Sequence, residues 1–153
     1  MNMEFIRITD PKDPRASCIK DDPVRPHIPL EQRINEAAEI LILKAGEEIL
    51  AATCMQWLAA IPKSEEDLQT MDKTKRVAVF YTIWSYAPGA GARLIKEAAE
   101  WILKDYEDVD DIVTLSPQTP MARRFHLKNG ATVHQTNDTT VNYQYYRRSK
   151  PRD

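Results

Sequence analysis

The pattern of apolar and polar positions changes period several times along the chain, and each change marks an element. Glu4 to Thr9 reads as a first strand, and the stretch from Asp10 to Pro29 holds five of the ten prolines. That density predicts an irregular wrapping segment with room for one short helix. Leu30 to Ala37 suits a helical turn or two. Two apolar runs, Glu39 to Leu43 and Ile49 to Ile61, flank Lys44-Ala45-Gly46-Glu47 and predict a β-hairpin. Ser64-Glu65-Glu66-Asp67 resembles a helix start, with carboxylates at the positive end of the helix, and a polar connection runs on to Lys75. Val77 to Trp84 carries no charge and is rich in β-branched and aromatic residues, as a strand buried on both faces is. Leu94, Ile95, Ala98, Ala99, Ile102, Leu103 and Tyr106 then recur at spacings of three and four, with Arg93, Lys96, Glu97, Glu100 and Lys104 between them. This is an amphipathic helix with one face against a sheet. Ile112 to Leu115 predicts another strand. Thr119 is an N-cap with Pro120 at the first helical position, and Asn129-Gly130 is a stop. Thr132 to Gln135 and Val141 to Tyr146 alternate like a closing hairpin, and the basic tail 147–153 is expected to be disordered. The order of elements predicts an α/β chain, one mixed sheet with helices on both faces.

A length of 153 residues leads us to expect one domain, spanning 1–153. Hydrophobic residues at 42% and charged residues at 29% describe a folded chain. The formal charge of −2 is too balanced for the phosphate attraction on which nucleic-acid binders depend. No apolar run approaches the ~20 residues that cross a bilayer, and Met1 to Phe5 lacks the basic start of a signal peptide. Cytoplasmic localisation without membrane attachment is therefore expected. Cys18 and Cys54 form no metal-type pair, and His27, His126 and His134 lack ligand spacing, so no metal site is expected.

Only four glycines are present, and two of them lie in Pro88-Gly89-Ala90-Gly91-Ala92, between the buried strand and the amphipathic helix. There, missing Cβ atoms let backbone N–H groups approach an anion, and the helix N-terminus adds roughly half a positive charge. A tight turn requiring positive φ reads the same way. A P-loop is excluded because Ala92-Arg93 follows Gly91, and a Rossmann loop because Arg93 or Leu94 stands where its third glycine belongs.

The remaining pattern, Gly89, Gly91, Leu94 and Ile95, resembles the coenzyme A loop of the GNAT (N-acetyltransferase) superfamily, although Tyr86 stands where that superfamily usually has Arg or Gln. Residues 77–145 resemble the catalytic GNAT-like domain of malonyl-CoA decarboxylase more specifically. Phe80-Tyr81-Thr82-Ile83 is similar to its Phe-Tyr-Ser-Ile strand, and Leu94-Ile95-Lys96 to its helix start. Thr114-Leu115-Ser116-Pro117 and Phe125-His126-Leu127-Lys128-Asn129-Gly130-Ala131 match two further strings, and Val141 to Tyr145 echoes the terminal Asn-Tyr-x-Tyr. The family's separate helical domain and its longer strand-to-helix loop have no counterpart in these residues. The resemblance implies a GNAT-like acyl-CoA-binding fold with a mostly antiparallel sheet. Acyl-CoA is then the small-molecule substrate, and a homodimer is allowed for.

It implies malonyl-CoA decarboxylation first, acyl transfer from acetyl-CoA to an amine second, and a non-catalytic interaction module third. His126, at the edge of the apolar face set by Met121, Ala122 and Phe125, is either a packing histidine or one facing a cleft; the surrounding string favours proton transfer. Thr82 takes the family's serine position beside it, and Tyr145 is the third polar group. Ser85, Tyr86, Gly89, Ala90, Gly91, Ala92 and Arg93 are assigned to the coenzyme, and Arg123, with Arg124 beside it, to its phosphate. Cys54, in an apolar strand, is expected to be inert. His27 and His134 are read as surface or packing residues.

Overall fold

The computed structural model describes residues 2–70 and 72–149. Eight strands form one sheet: β1 (Glu4–Ile8), β2 (Ala38–Ala45), β3 (Glu48–Leu58), β4 (Val77–Ser85), β5 (Asp111–Thr114), β6 (Ser116–Pro117), β7 (Thr132–Thr136) and β8 (Thr140–Arg147). Their order is β1-β2-β3-β4-β5-β8-β6, with β7 on β8. The β4–β5 pair is parallel and the other pairs are antiparallel.

The helices are α1 (Leu30–Arg33), α2 (Ala90–Asp105) and α3 (Pro120–Lys128). On one face of the sheet, α2 buries Leu94, Ile95, Ala98 and Ile102 against Leu41, Met55 and Phe80. Each large aliphatic side chain so buried contributes about 1.5–3 kcal/mol. Leu103, counted with this face in the sequence, is 42% exposed. The opposite face is covered by the proline-rich segment, which folds as a 3-10 stretch at Pro14–Asp21 and then α1. It seats Ala16, Cys18, Ile28 and Ile34 on Ile40, Ile42, Cys54 and Val79. Helical cover thus lies on both faces, but on this one it is short turns, because prolines interrupt the amide ladder.

Three other local expectations change. The helical stretch from Leu30 ends at Arg33, where Asn35 forms a bridge with Ala38. Ser64 and Asp67 do form a reciprocal capping box, yet the element is a single 3-10 turn, Glu65–Gln69. The tail does not fray at Arg147: β8 includes that residue, and Arg148 Nε donates to Asp110 Oδ1 at 3.0 Å. The tail residues 150–153 lie outside the described residues.

Candidate functional site

β4 is paired along its whole length with β3, across one irregularity, but with β5 only at its start. Cys54 stands opposite Thr82 and Met55 opposite Phe80, so Tyr81 is an extra residue in β4, a β-bulge. As a result Tyr81 and Thr82 both face the proline-rich segment, whereas Phe80 and Ile83 face α2. On the other side β5 pairs with β4 only from Val77 to Phe80. Beyond that point a buried guanidinium stands between the chains. Arg25 Nη1 donates to the Tyr81 carbonyl and, at 3.0 Å, to the Leu115 carbonyl. The guanidinium thus bridges β4 and the chain after β5 where their ladder has ended.

The opening is a cleft of about 710 Å³, with Phe80 to Ser85 on one wall and Leu115, Ser116, Met121, Ala122, Phe125 and His126 on the other. Met121, Ala122 and Phe125, the apolar stripe of α3, line the cavity; Phe125 also packs against the core under α2, whereas Met121 is 74% exposed. The buried residue of α3 is His126, which the sequence placed at the edge of that stripe.

Both nitrogens of His126 are engaged. The Tyr145 hydroxyl lies 2.7 Å from Nδ1, and Ser116 Oγ lies 3.3 Å from Nε2. Ser116 Oγ donates to Thr114 Oγ1 at 2.7 Å, so its lone pair faces the ring. One arrangement satisfies the chain: Tyr145 O–H donates to Nδ1, and Nε2–H donates to Ser116. Tyr143 stacks on the ring with centroids 4.9 Å apart. Burial lowers the imidazole to about 4, so it is neutral at physiological pH, and burial raises the Tyr145 phenol.

Ser85, Gly91 and Phe125 also line a second depression of about 510 Å³ over the start of α2. Gly89 turns the chain there with φ +77°, and no side chain caps the helix. Among the described residues, the amides of Gly91 and Ala92 donate to no acceptor, whereas that of Ala90 donates to the Ala87 carbonyl at 3.2 Å. Two free N–H groups at a helix N-terminus suit an anion. A Cβ at Gly91 would lie 3.5 Å from the Ser85 Cβ and 3.6 Å from the Phe125 ring, so a larger side chain has nowhere to go but into the groove.

Of the proposed coenzyme residues, Ser85, Tyr86, Gly89, Gly91 and Ala92 line the groove, and Ala90 is buried beneath it. Arg93 does not line it: its guanidinium pairs with Glu97 at 3.3 Å and touches Met3 Sδ. Arg123 lines neither space. The cation at the groove is Lys128, at the end of α3, which no sequence signal marked. Tyr86 donates its O–H to Asp21 at 2.7 Å, tying the loop to the proline-rich segment.

Thr82 shares the cleft with His126, but its proton is committed elsewhere. Its Oγ1 donates to Asp22 Oδ1 at 2.7 Å, and Arg33 Nη1 holds the other carboxylate oxygen at 2.7 Å in a fully buried pair. Burial raises the Asp22 carboxyl, but hydrogen bonds from the Arg25 amide, Arg33, Thr82 and the Val24 amide outweigh it and hold the group below its usual range. The same Arg33 touches Cys54 at 3.4 Å, so that thiol has a basic neighbour. Burial still prevails and pushes Cys54 to about 12, which leaves it inert. Asp22, Arg25 and Arg33 are the site-shaping residues that sequence reasoning missed. For Asp22 and Arg25 the available signal was an ionisable residue set among closely spaced prolines, which pin the backbone; Arg33, at the end of α1, carried no such signal.

Among solved structures, a malonyl-CoA decarboxylase from Agrobacterium vitis matches with a TM-score of 0.66 and 22% identity, over 79% of this chain and 35% of that one. The malonyl-CoA decarboxylase from Rhodopseudomonas palustris gives 0.72 and 17%, over 94% and 56%. A GNAT family acetyltransferase from Elizabethkingia anophelis with acetyl-CoA bound gives 0.64 and 11%, over 94% and 97%. The chain has the GNAT-like fold, in a form that resembles malonyl-CoA decarboxylase. It covers 35% and 56% of the lengths of those two decarboxylases. No protein-family model matches the sequence, and no curated protein sequence does.

Proposed function

We propose that this chain is an acyl-CoA enzyme whose reaction is decarboxylation of malonyl-CoA to acetyl-CoA and carbon dioxide. The observation that carries this reading is the lining of the cleft. It contains no Asp or Glu, and its one imidazole is neutral and hydrogen-bonded at both nitrogens.

The pyrophosphate sits on the Gly91 and Ala92 amides with Lys128 beside it, and the acyl end runs along β4 to His126 and Ser116. Apolar walls such as Phe80, Ile83, Leu115 and Phe125 strip water from the malonyl carboxylate. Leaving as neutral carbon dioxide relieves that cost. The carbon–carbon bond breaks, its electron pair moves into the thioester as an enolate, and the methylene carbon then takes a proton. Nε2–H of His126 supplies it. A thioester carbanion is a far stronger base than imidazolate, so the neutral ring suffices as donor. Tyr145, through Nδ1, keeps the proton on Nε2, and Ser116, whose own proton goes to Thr114, accepts from Nε2–H in the resting site and holds the ring in place.

Acyl transfer to an amine is the alternative reading, since the Elizabethkingia anophelis neighbour holds acetyl-CoA. That reaction needs a base for the ammonium proton, and an imidazole lowered to about 4 is a poor one. Incubation with malonyl-CoA alone, and separately with acetyl-CoA and an amine panel, tests the ranking. Acetyl-CoA and carbon dioxide from the first support it; amine-dependent release of free thiol from the second, with malonyl-CoA untouched, reverses it.

A further inference from the structure

The acyl-CoA cleft has a third wall besides β4 and α3. Pro23 and Val24 line it, and both belong to the proline-rich segment. The residues that flank them are fastened. Asp21 accepts the Tyr86 O–H at 2.7 Å, while Asp22 accepts the Thr82 O–H at 2.7 Å and the amides of Val24 and Arg25 at 2.8 and 2.9 Å. Arg25 in turn donates to the carbonyls of Tyr81 and Leu115. The proline ring fixes φ at Pro23, and branching at Cβ restricts the rotamer of Val24. Such a wall does not yield to a larger guest.

The same bonds give the depth at which Val24 stands. Asp22 meets Thr82 on β4, and Arg25 meets Leu115 on the chain that leaves β5, so the two residues between them span the cleft at that level. Ser116, next after Leu115, lies 3.3 Å from Nε2 of His126. Pro23 is exposed and Val24 half-buried, which makes Val24 the inner member of the pair. A thioester whose second carbon takes its proton from Nε2 brings that carbon to the same level, and a branch on it competes with the Val24 isopropyl group for space.

We propose that Val24 determines specificity at the acyl end, admitting a malonyl thioester with two hydrogens on its second carbon and rejecting one with an alkyl branch there. The reaction named rests on the decarboxylation reading, whereas the size limit is a property of binding. Calorimetry with propionyl-CoA and isobutyryl-CoA, which have no carboxylate to lose, therefore measures the limit without turnover. Wild type should bind the branched thioester at least about tenfold more weakly, since one methyl group in an apolar pocket is worth roughly 10- to 200-fold. Val24→Ala should bring the two Kd values within about threefold, and Val24→Ile should widen the gap. In rate assays the ratio of kcat/KM for methylmalonyl-CoA to that for malonyl-CoA should rise about tenfold in Val24→Ala. Because each readout is a ratio within one protein, a general loss of stability cancels. Equal affinity of wild type for the two thioesters, a ratio that Val24→Ala leaves unmoved, or no binding of either thioester overturns the proposal. Discrimination between the thioesters that Val24→Ala removes, with neither malonyl compound turned over, upholds the size limit and overturns the decarboxylation reading alone.

Discussion

The Tyr145 hydroxyl stands 2.7 Å from Nδ1 of His126 and thereby fixes which nitrogen of the buried ring carries the proton. Tyr145→Phe removes that bond and leaves the ring its stacking on Tyr143. We expect kcat for malonyl-CoA to fall about tenfold, the worth of one such hydrogen bond, with coenzyme A affinity unchanged by calorimetry. Equal losses in both would mean that the contact only supports the fold.

The same burial makes stability depend on pH. His126 is lowered from 6.5 to about 4, so between those values the unfolded chain binds a proton that the folded chain refuses. Its contribution is complete above pH 6.5, declines as the pH falls toward 4, and amounts to about 3 kcal/mol at an upper limit. Urea melts at pH 7.0, 5.5 and 4.5 should show the decline in wild type and a shallower one in His126→Gln.

Replacements around the start of α2 separate the groove from its surroundings. Lys128→Gln should raise the coenzyme A Kd about three- to tenfold, and the effect should shrink in high salt. Arg93→Gln should leave it within twofold, because that side chain belongs to Glu97. Gly91→Trp, whose side chain must enter the groove, should abolish binding without unfolding the protein, as judged by circular dichroism.

The pair of Asp22 and Arg33 is fully buried, so breaking it strands a charge. Arg33→Met should cost about 3–5 kcal/mol in urea denaturation. Thr82→Val should cost about 1–2 kcal/mol and leave kcat within a few-fold, whereas Thr82→Ser keeps the bond to Asp22 and its stability. A large kcat loss in Thr82→Val alone would return Thr82 to the catalytic group.

Where one physical signal dominates, the sequence was legible. The uncharged run became β4, the spacing of Leu94, Ile95, Ala98 and Ile102 became α2, and Thr119-Pro120 with Asn129-Gly130 bounded α3. His126, Tyr145 and the glycine loop were visible as candidates because their strings are specific. The cleft itself was not, since it depends on Arg25 reaching carbonyls 56 and 90 residues away. No local period encodes such a contact. Periodicity marked Met121 and Phe125 as an apolar face without saying what that face meets, because a stripe facing a cavity has the same spacing as one facing a core. Arg93 and Lys128 show the corresponding limit for charge: which cation meets the groove is decided by side-chain direction.

The central claim is that His126 delivers the proton after carbon dioxide leaves, and turnover of malonyl-CoA in deuterium oxide by wild type and His126→Ala tests it most directly. Mass spectrometry of the wild-type product should show acetyl-CoA carrying deuterium introduced at the methyl carbon. His126→Ala should turn over about 10²–10⁴-fold more slowly while binding coenzyme A within a few-fold of wild type. A His126→Ala protein that decarboxylates at the wild-type rate and has merely lost stability would contradict the account.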